Sequence, residues 1–557
     1  MKKIISLLIT AAVILSSLCV CPLCSAESDG RVDFAVASDL HIELYSDSLP
    51  VNYPENELYF HADGSGNLYA ESVGITNSFL NSAQKNKVDF ILIPGDMTRG
   101  GKKSEHEFVA DLFTAYTEKT GIKIYTIPGN HDYHNDCTPE EFKEYYRNVC
   151  YCDALETDTL TASYTADLPE NFRLIAVDSN NPGEDGDGMD ERLFTWIDEQ
   201  VEKAHGDKKE IIFMMHHTVL EHLYLGQYLM SDFIVRNHKD VAEKFCEWNI
   251  QYVFTGHEHG NDIARFEGKN GNVLYDVLTT SLTSYPLEYR LISYGKSGVD
   301  IKMKSIESCD FSSLPGGYTE KQLALMKSDY SSYAYGYFKY SIEKKILKYT
   351  SPDFIKSKLK VESGALADAA DSLMSPVNDA LCMPLYGDGD SIEALARKNG
   401  VSLPDSGYKS LLDLATTLVA MHYYGDENVI SSESLECEIL VKGLNTALEY
   451  ILCQTESQSA KMLIRLSLGY FVPDGNAIEK WLSSLESGSD DAYKIASDVL
   501  CPFLDKYTLD SPPSDRDVSL PAFGEKTDIT ERIFNFLETI IRFIEYVLST
   551  VFAFAGK

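Results

Sequence analysis

The sequence predicts a layered α/β domain over residues 31–307 and a separate α-helical domain over 308–509. Three observations carry this. Apolar strand-like runs alternate with helix-like segments in the first part, the pattern of sheets covered by helices. Five of those runs stop abruptly in clusters of His, Asp and Asn, and open α/β folds place their sites at such strand ends. From about Ser308 helical periodicity dominates to about Asp505, punctuated at Pro384, Pro404 and Pro473.

In chain order, residues 32–40 form the first strand candidate and end at Asp39 and His41. A polar stretch follows to about residue 70, long for a structureless connection, which suggests a functional surface. Glu71 to Lys85 is helix-like. Val88 to Pro94 is the second strand, ending in Gly95-Asp96. Ser104 to Thr120 reads as a helix, with Ser104 as N-cap and Glu107 completing a capping box. Ile122 to Ile127 is the third strand, ending in Gly129-Asn130-His131-Asp132. Phe172 to Val177 ends at Asp178, and Glu210 to Met215 ends at His216-His217. A helix over 239–248 leads into Ile250 to Thr255, which stops at Gly256-His257-Glu258-His259. Beyond it Val273–Leu282, Tyr289–Tyr294 and Val299–Ser305 read as strands without helices between them. Hairpin pairing there predicts mixed sheets.

Composition narrows the class. The chain has 557 residues, 44% of them hydrophobic, enough for sizeable cores. The net charge of −36 argues against nucleic acid or anionic lipid as bulk partners, which need basic patches. Lys2, Lys3, an apolar stretch to Val20 and Cys24-Ser25-Ala26 read as a signal peptide over residues 1–26, so the protein is expected to be secreted or held at the cell surface. Nine of the twelve cysteines lie beyond that segment, an odd number with no Cys-x-x-Cys spacing. Residues 510–527 read as a linker. Residues 528–557 read as an amphipathic helix with Ile533, Leu537, Ile540, Ile544 and Val551 on one face. That helix suits docking on the protein itself, self-association or lying in a membrane surface.

The strand ends bring together Asp39, His41, Asp96, Asn130, His131, His216, His217, His257 and His259. Carboxylates and imidazoles without thiolate suit iron, manganese, zinc or nickel. The number of donors exceeds what one ion needs and fits two ions sharing a carboxylate, a clamp for phosphoryl transfer. His61, His134, His222 and His422 are read as surface or structural histidines, with His134 and His222 best placed to support the ligands.

The ordered series Asp39-x-His41, Gly95-Asp96, Gly129-Asn130-His131-Asp132, His216-His217 and Gly256-His257-x-His259 resembles the calcineurin-like metallophosphoesterases. The resemblance covers about residues 31–300. It implies a four-layer α/β/β/α sandwich with the site at the strand ends. By motif, Asp39, His41 and His259 would hold one metal, Asn130, His216 and His257 the other, and Asp96 would bridge them. His131 would protonate the leaving group and Asp132 would orient it. Arg99 and His217 are candidates for holding substrate. The resemblance implies hydrolysis of a phosphoester by hydroxide generated at the metals. The Gly-Asn-His-Asp form and secreted layout look most like bacterial phosphodiesterase-type members, with small phosphoesters or lipid headgroups as substrates. A phosphomonoesterase or 5′-nucleotidase, and a surface binding protein carrying the domain, are the alternatives. Arg99 stands where purple acid phosphatases place a tyrosine.

Overall fold

A computed structural model describes residues 30–521 apart from 46–57, 60, 63, 181–187, 224–231, 297, 426–430, 456–459, most of 463–474, 490 and 508–514. The segments read as a signal peptide and as the C-terminal amphipathic helix lie outside the described residues. No helix among those described is long and apolar enough to cross a membrane.

Two sheets form the centre. The first holds β1 (Val32–Val36), β2 (Phe90–Ile93), β3 (Lys123–Thr126), β11 (Glu288–Gly295), β12 (Gly298–Ser305) and β13 (Val518–Pro521), in the order β13-β12-β11-β1-β2-β3. The second holds β4 (Ala154–Thr157), β5 (Tyr164–Asp167), β6 (Phe172–Val177), β7 (Glu210–Met215), β8 (Tyr252–Thr255), β9 (Asp262–Glu267) and β10 (Val273–Leu278), in the order β4-β5-β6-β7-β8-β10-β9. Strands β1, β2 and β3 run parallel, as do β6, β7, β8 and β10, while β11 and β12 form the expected antiparallel hairpin. Three short strands, β4, β5 and β9, were not expected from the sequence.

The near-continuous apolar runs are explained by burial on both faces. Along β7, Ile212 and Met214 point into the core shared with the first sheet, whereas Ile211, Phe213 and Met215 point outward. The outward residues pack under α4 (Glu191–Gly206) and α5 (His238–Glu247). On the opposite side α1 (Ser72–Asn86) and α2 (Lys103–Thr120) cover the first sheet through Ile75, Phe79, Val109 and Phe113. Phe34 of β1 meets Phe254 of β8 edge-on at 5.4 Å where the sheets face each other. A one-residue slip would exchange the two faces of a strand. With roughly 1.5–3 kcal/mol at stake for each large side chain, the register is strongly held. Helix α2 begins one residue earlier than expected. Lys102 is its N-cap and Glu105 closes the capping box, in place of Ser104 and Glu107.

The helical region does not begin a new unit at residue 308. After α3 (Pro139–Tyr145) in the first domain, α6 (Glu320–Ser328) and α7 (Tyr330–Tyr349) pack on the core of the two sheets, with Met326, Tyr330, Tyr333 and Tyr337 buried in it. Tyr333 donates from its hydroxyl to the buried Glu71 carboxylate at 2.8 Å. A second core belongs to α9 (Ala365–Cys382), α10 (Ile392–Lys398), α11 (Leu411–Tyr424), α12 (Leu435–Gln454), α13 (Gly475–Glu486) and α14 (Ala492–Tyr507), with α8 (Pro352–Leu359) beside them. The expected linker over 510–527 is also corrected. Its residues 518–521 are β13, paired antiparallel with β12 at the edge of the first sheet. Short, polar and bounded by prolines, this segment reads as a linker locally, but its backbone groups are satisfied by a strand more than two hundred residues away.

Candidate metal centre

Every expected ligand, and the expected acid His131, lies just past the carboxyl end of a parallel strand: Asp39 and His41 after β1, Asp96 after β2, Asn130 and His131 after β3, His216 after β7, His257 and His259 after β8. Five of them, Asp39, His41, Asp96, His257 and His259, have φ between 43° and 75°. That left-handed conformation costs a non-glycine residue about 1–3 kcal/mol and clusters at functional sites. Asp, Asn and His tolerate it best among residues with a Cβ. Gly95, at φ 101°, cannot be replaced cheaply, because a Cβ there would overlap the His216 ring.

The two carboxylates are arranged alike. Asp39 uses Oδ2 to accept from Ser38 Oγ at 2.5 Å and from His257 N–H at 3.0 Å. Its Oδ1 is buried without a hydrogen-bond partner, 3.3 Å from His259 Nε2 and 3.8 Å from His41 Nε2. Asp96 uses Oδ1 to accept from His131 N–H at 2.8 Å, leaving Oδ2 buried without such a partner. That oxygen lies 3.8 Å from His41 Nε2 and 3.6 Å from His216 Nε2, between two donor groups. One group is Asp39, His41 and His259, with His41 Nε2 and His259 Nε2 3.1 Å apart. The other is Asn130, His216 and His257, with His216 Nε2 3.2 Å from Asn130 Oδ1 and 3.1 Å from His257 Nδ1.

Each imidazole of the second group is oriented from behind. His216 Nδ1 donates to the Pro94 carbonyl at 2.8 Å, which leaves Nε2 as the free lone pair. His257 Nε2 donates to the Asp232 carbonyl at 3.1 Å, which leaves Nδ1. Burial holds the His216 ring at about 3 and the His41 and His257 rings well below the ordinary histidine range. All three are therefore neutral and able to ligate. Burial, followed by the charges of Asp39 and Asp132, raises Asp96 well above the ordinary carboxylate range. Burial would also raise Asp39, but His259, then His216 and His41, pull it below that range. Two orphaned carboxylate oxygens and neutral imidazole nitrogens converging within ligand reach fit a pair of cations. A nitrogen pair 3.1 Å apart corresponds to neighbouring ligands at about 2.1 Å from one ion, close to a right angle.

The structure brings His131 to the centre's rim, its ring 4.7 Å from that of His41. The role expected for Asp132 is corrected. The His131 ring donates from Nδ1 to the Arg99 carbonyl at 2.7 Å, not to Asp132. The Asp132 carboxylate accepts instead from Thr98 N–H and Thr98 Oγ1, both at 2.9 Å, from Gly129 N–H at 3.0 Å and from Met97 N–H at 3.2 Å. It ties the Asp96 loop to the Asn130 loop, because four donors converge on it from both. The placement of His217 among substrate contacts is also corrected. The side chain is fully buried, 2.8 Å from Ser179 Oγ through Nδ1, with its ring edge-on to that of His257 at 4.4 Å. Arg99 is partly exposed, ion-paired with Glu43, with its guanidinium 3.9 Å from the centre of the Tyr69 ring. His134 lies beside His131 at 4.6 Å, and His222 is buried between Asp262 at 2.7 Å and Asp276 at 3.4 Å.

Three contributors escaped sequence reasoning. Glu43 and Tyr69 hold Arg99, but they lie in or after the aperiodic stretch. Tyr423, at the end of α11, packs edge-on against His259 at 6.5 Å, and Asn261 donates to its carbonyl at 3.3 Å. No local pattern marks Tyr423, since only the tertiary fold brings the helical domain to the His259 loop.

This set of converging carboxylate, imidazole and amide donors fits a centre for two metal ions. Residues 32–261 match the calcineurin-like phosphoesterase family. Similar solved structures include a dimetal phosphatase from Danio rerio, 13% identical, covering 49% of this chain and 96% of that one with a TM-score of 0.36. A purple acid phosphatase from yellow lupin (Lupinus luteus) seeds is 13% identical over 50% of this chain and 52% of that one, with a TM-score of 0.34. No curated protein matches the chain.

Proposed function

We propose that the protein is a secreted or cell-surface phosphodiesterase whose two metals are held by Asp39, His41 and His259 on one side and Asn130, His216 and His257 on the other, with Asp96 between them. A cavity of about 520 Å³ beside Asn130 carries the diester reading. It is walled by Tyr133, Leu160, Asn180 and Leu193 among others, and it lies in the size range of small-molecule sites. Such a space accepts the second ester substituent that a monoester lacks. Arg99 supports the same reading. Its charge is already offset by Glu43, so it adds little countercharge for a dianionic monoester.

When bound, the metals would supply an activated water and neutralise charge on the phosphoryl oxygens. The chain supplies the rest. Asp39 and Asp96 each commit one oxygen to backbone or hydroxyl donors, so their free oxygens are preorganised and need no rearrangement on binding. His131, fixed through Nδ1 by the Arg99 carbonyl, presents Nε2 as the group that protonates the departing oxygen. Asp132 holds the two loops that carry these groups. The Lys2–Ala26 segment supports export.

The test is hydrolysis of bis-nitrophenyl phosphate and nitrophenyl phosphate by full-chain protein reconstituted with manganese, zinc or iron. A higher kcat/KM for the diester is expected. A clear preference for the monoester would replace this reading by a phosphomonoesterase or nucleotidase. Metal binding without turnover of either would favour a binding protein.

A further inference from the structure

We propose that Cys437 and Cys501 form a reversible disulfide that clamps the helical domain, made by exchange with a low-molecular-weight disulfide. Cys437 lies at the start of α12 and Cys501 within α14, and their sulfurs are 3.1 Å apart. Among the described residues this is the one cysteine pair in contact. A bond needs about 2.05 Å between sulfurs, so closure takes roughly 1 Å of movement by side chains on two helices already packed together.

The two thiols differ in a way that sets the order of events. Cys437 is buried at 1% exposure, whereas Cys501 is partly exposed. Burial, then the neighbouring Cys501 sulfur, pushes the Cys437 thiol up to about 12. Cys501 is therefore the entry point. Its thiolate attacks one sulfur of the oxidant disulfide, forming a mixed disulfide and releasing one thiol. The Cys437 sulfur, giving up its proton, then attacks the Cys501 sulfur and expels the second thiol. Two protein thiols are oxidised, one external disulfide is reduced to two thiols, and the protons balance.

The clamp has a structural consequence. It joins positions 64 residues apart and encloses α13 and Trp481, the large buried residue of that core. Helix α14 also precedes in sequence residues 515–521, of which 518–521 pair with β12 of the first sheet. Cross-linking it to α12 removes freedom from the unfolded chain and fixes the point from which β13 departs.

The experiment takes reduced full-chain protein, exposes it to oxidised glutathione, blocks remaining thiols and maps peptides without reduction. A Cys437–Cys501 linked peptide, two hydrogens lighter than the separate peptides, is expected, while buried Cys150, Cys246 and Cys309 stay reduced. The C437S variant should stop at glutathione on Cys501. The oxidised wild type should unfold at higher denaturant concentration than its reduced form, a shift absent in C437S. Alkylation of both cysteines after oxidant treatment, persistent glutathione on wild-type Cys501, or linkage of either to Cys382 or Cys453 would overturn the proposal.

Discussion

Replacing Asp132 by asparagine separates two roles for this residue. If it only oriented His131, the variant would keep its stability and lose turnover. The structure gives it a different role, since three backbone N–H groups and one hydroxyl converge on a fully buried carboxylate. Hydrogen bonds to a charged acceptor contribute about 1.5–3 kcal/mol each, and orphaned buried donors cost a similar amount. The asparagine keeps one acceptor oxygen and turns an amide N–H₂ toward the remaining donors. Two lost bonds at the lower figure give about 3 kcal/mol. That is a large part of the stability of an ordinary domain. Urea unfolding of metal-free D132N against wild type measures it. The Asp96 and Asn130 loops should also lose their mutual position, so metal affinity should fall with stability. A variant as stable as wild type, with full metal content and reduced turnover alone, would refute the reasoning.

Three further outcomes follow from particular contacts. Ending the chain at residue 510 removes β13, together with Asp515, which accepts from the fully buried Arg290 through its carbonyl, and Arg516, which pairs with Glu288 at 2.7 Å. Hydrogen bonds to charged groups contribute about 1.5–3 kcal/mol each, so that protein should be insoluble or unfold early, whereas a chain ending at 521 keeps these contacts and should melt later than the one ending at 510. Burial would lower the His222 imidazole, but Asp276 and Asp262 outweigh it and raise the ring well above 6.5. Its stabilisation is therefore complete below about pH 6.5 and is lost as pH rises through the raised value, so the stability gap between wild type and H222Q should shrink in urea melts above that pH. Arg99→Ala should raise KM several-fold with metal content unchanged, and a loss of bound metal would show instead that Arg99 holds the loops.

The cluster of candidate metal-binding residues was legible in the sequence because each one follows an apolar run buried on both faces. A polar residue there has few structural uses, and five such interruptions in one order converge by topology alone. Helices α1, α2 and α5 and the β11–β12 hairpin were legible for similar reasons of period and punctuation, whereas the short α3 was not. What failed depended on long-range contacts. Val518–Pro521 is too short and polar to declare itself a strand without β12 beside it. The tyrosines of α7 have a helical pattern, but nothing in it states that they pack on the phosphoesterase core. The motif pairs Asp132 with His131, yet its carboxylate turns away toward the loop after β2. Tyr423 reaches His259 only because Arg516 and Asn261 bind the end of α11, Arg516 donating to the Tyr424 carbonyl at 2.6 Å.

The central claim is that Asp96 would help to hold both ions of the proposed pair. Elemental analysis of wild-type and D96N protein, each saturated with manganese or zinc and dialysed, tests it most directly. The wild type should retain two ions per chain. D96N, with an amide in place of the carboxylate, should lose both while remaining folded by circular dichroism. A folded D96N protein that keeps two ions per chain would contradict the account.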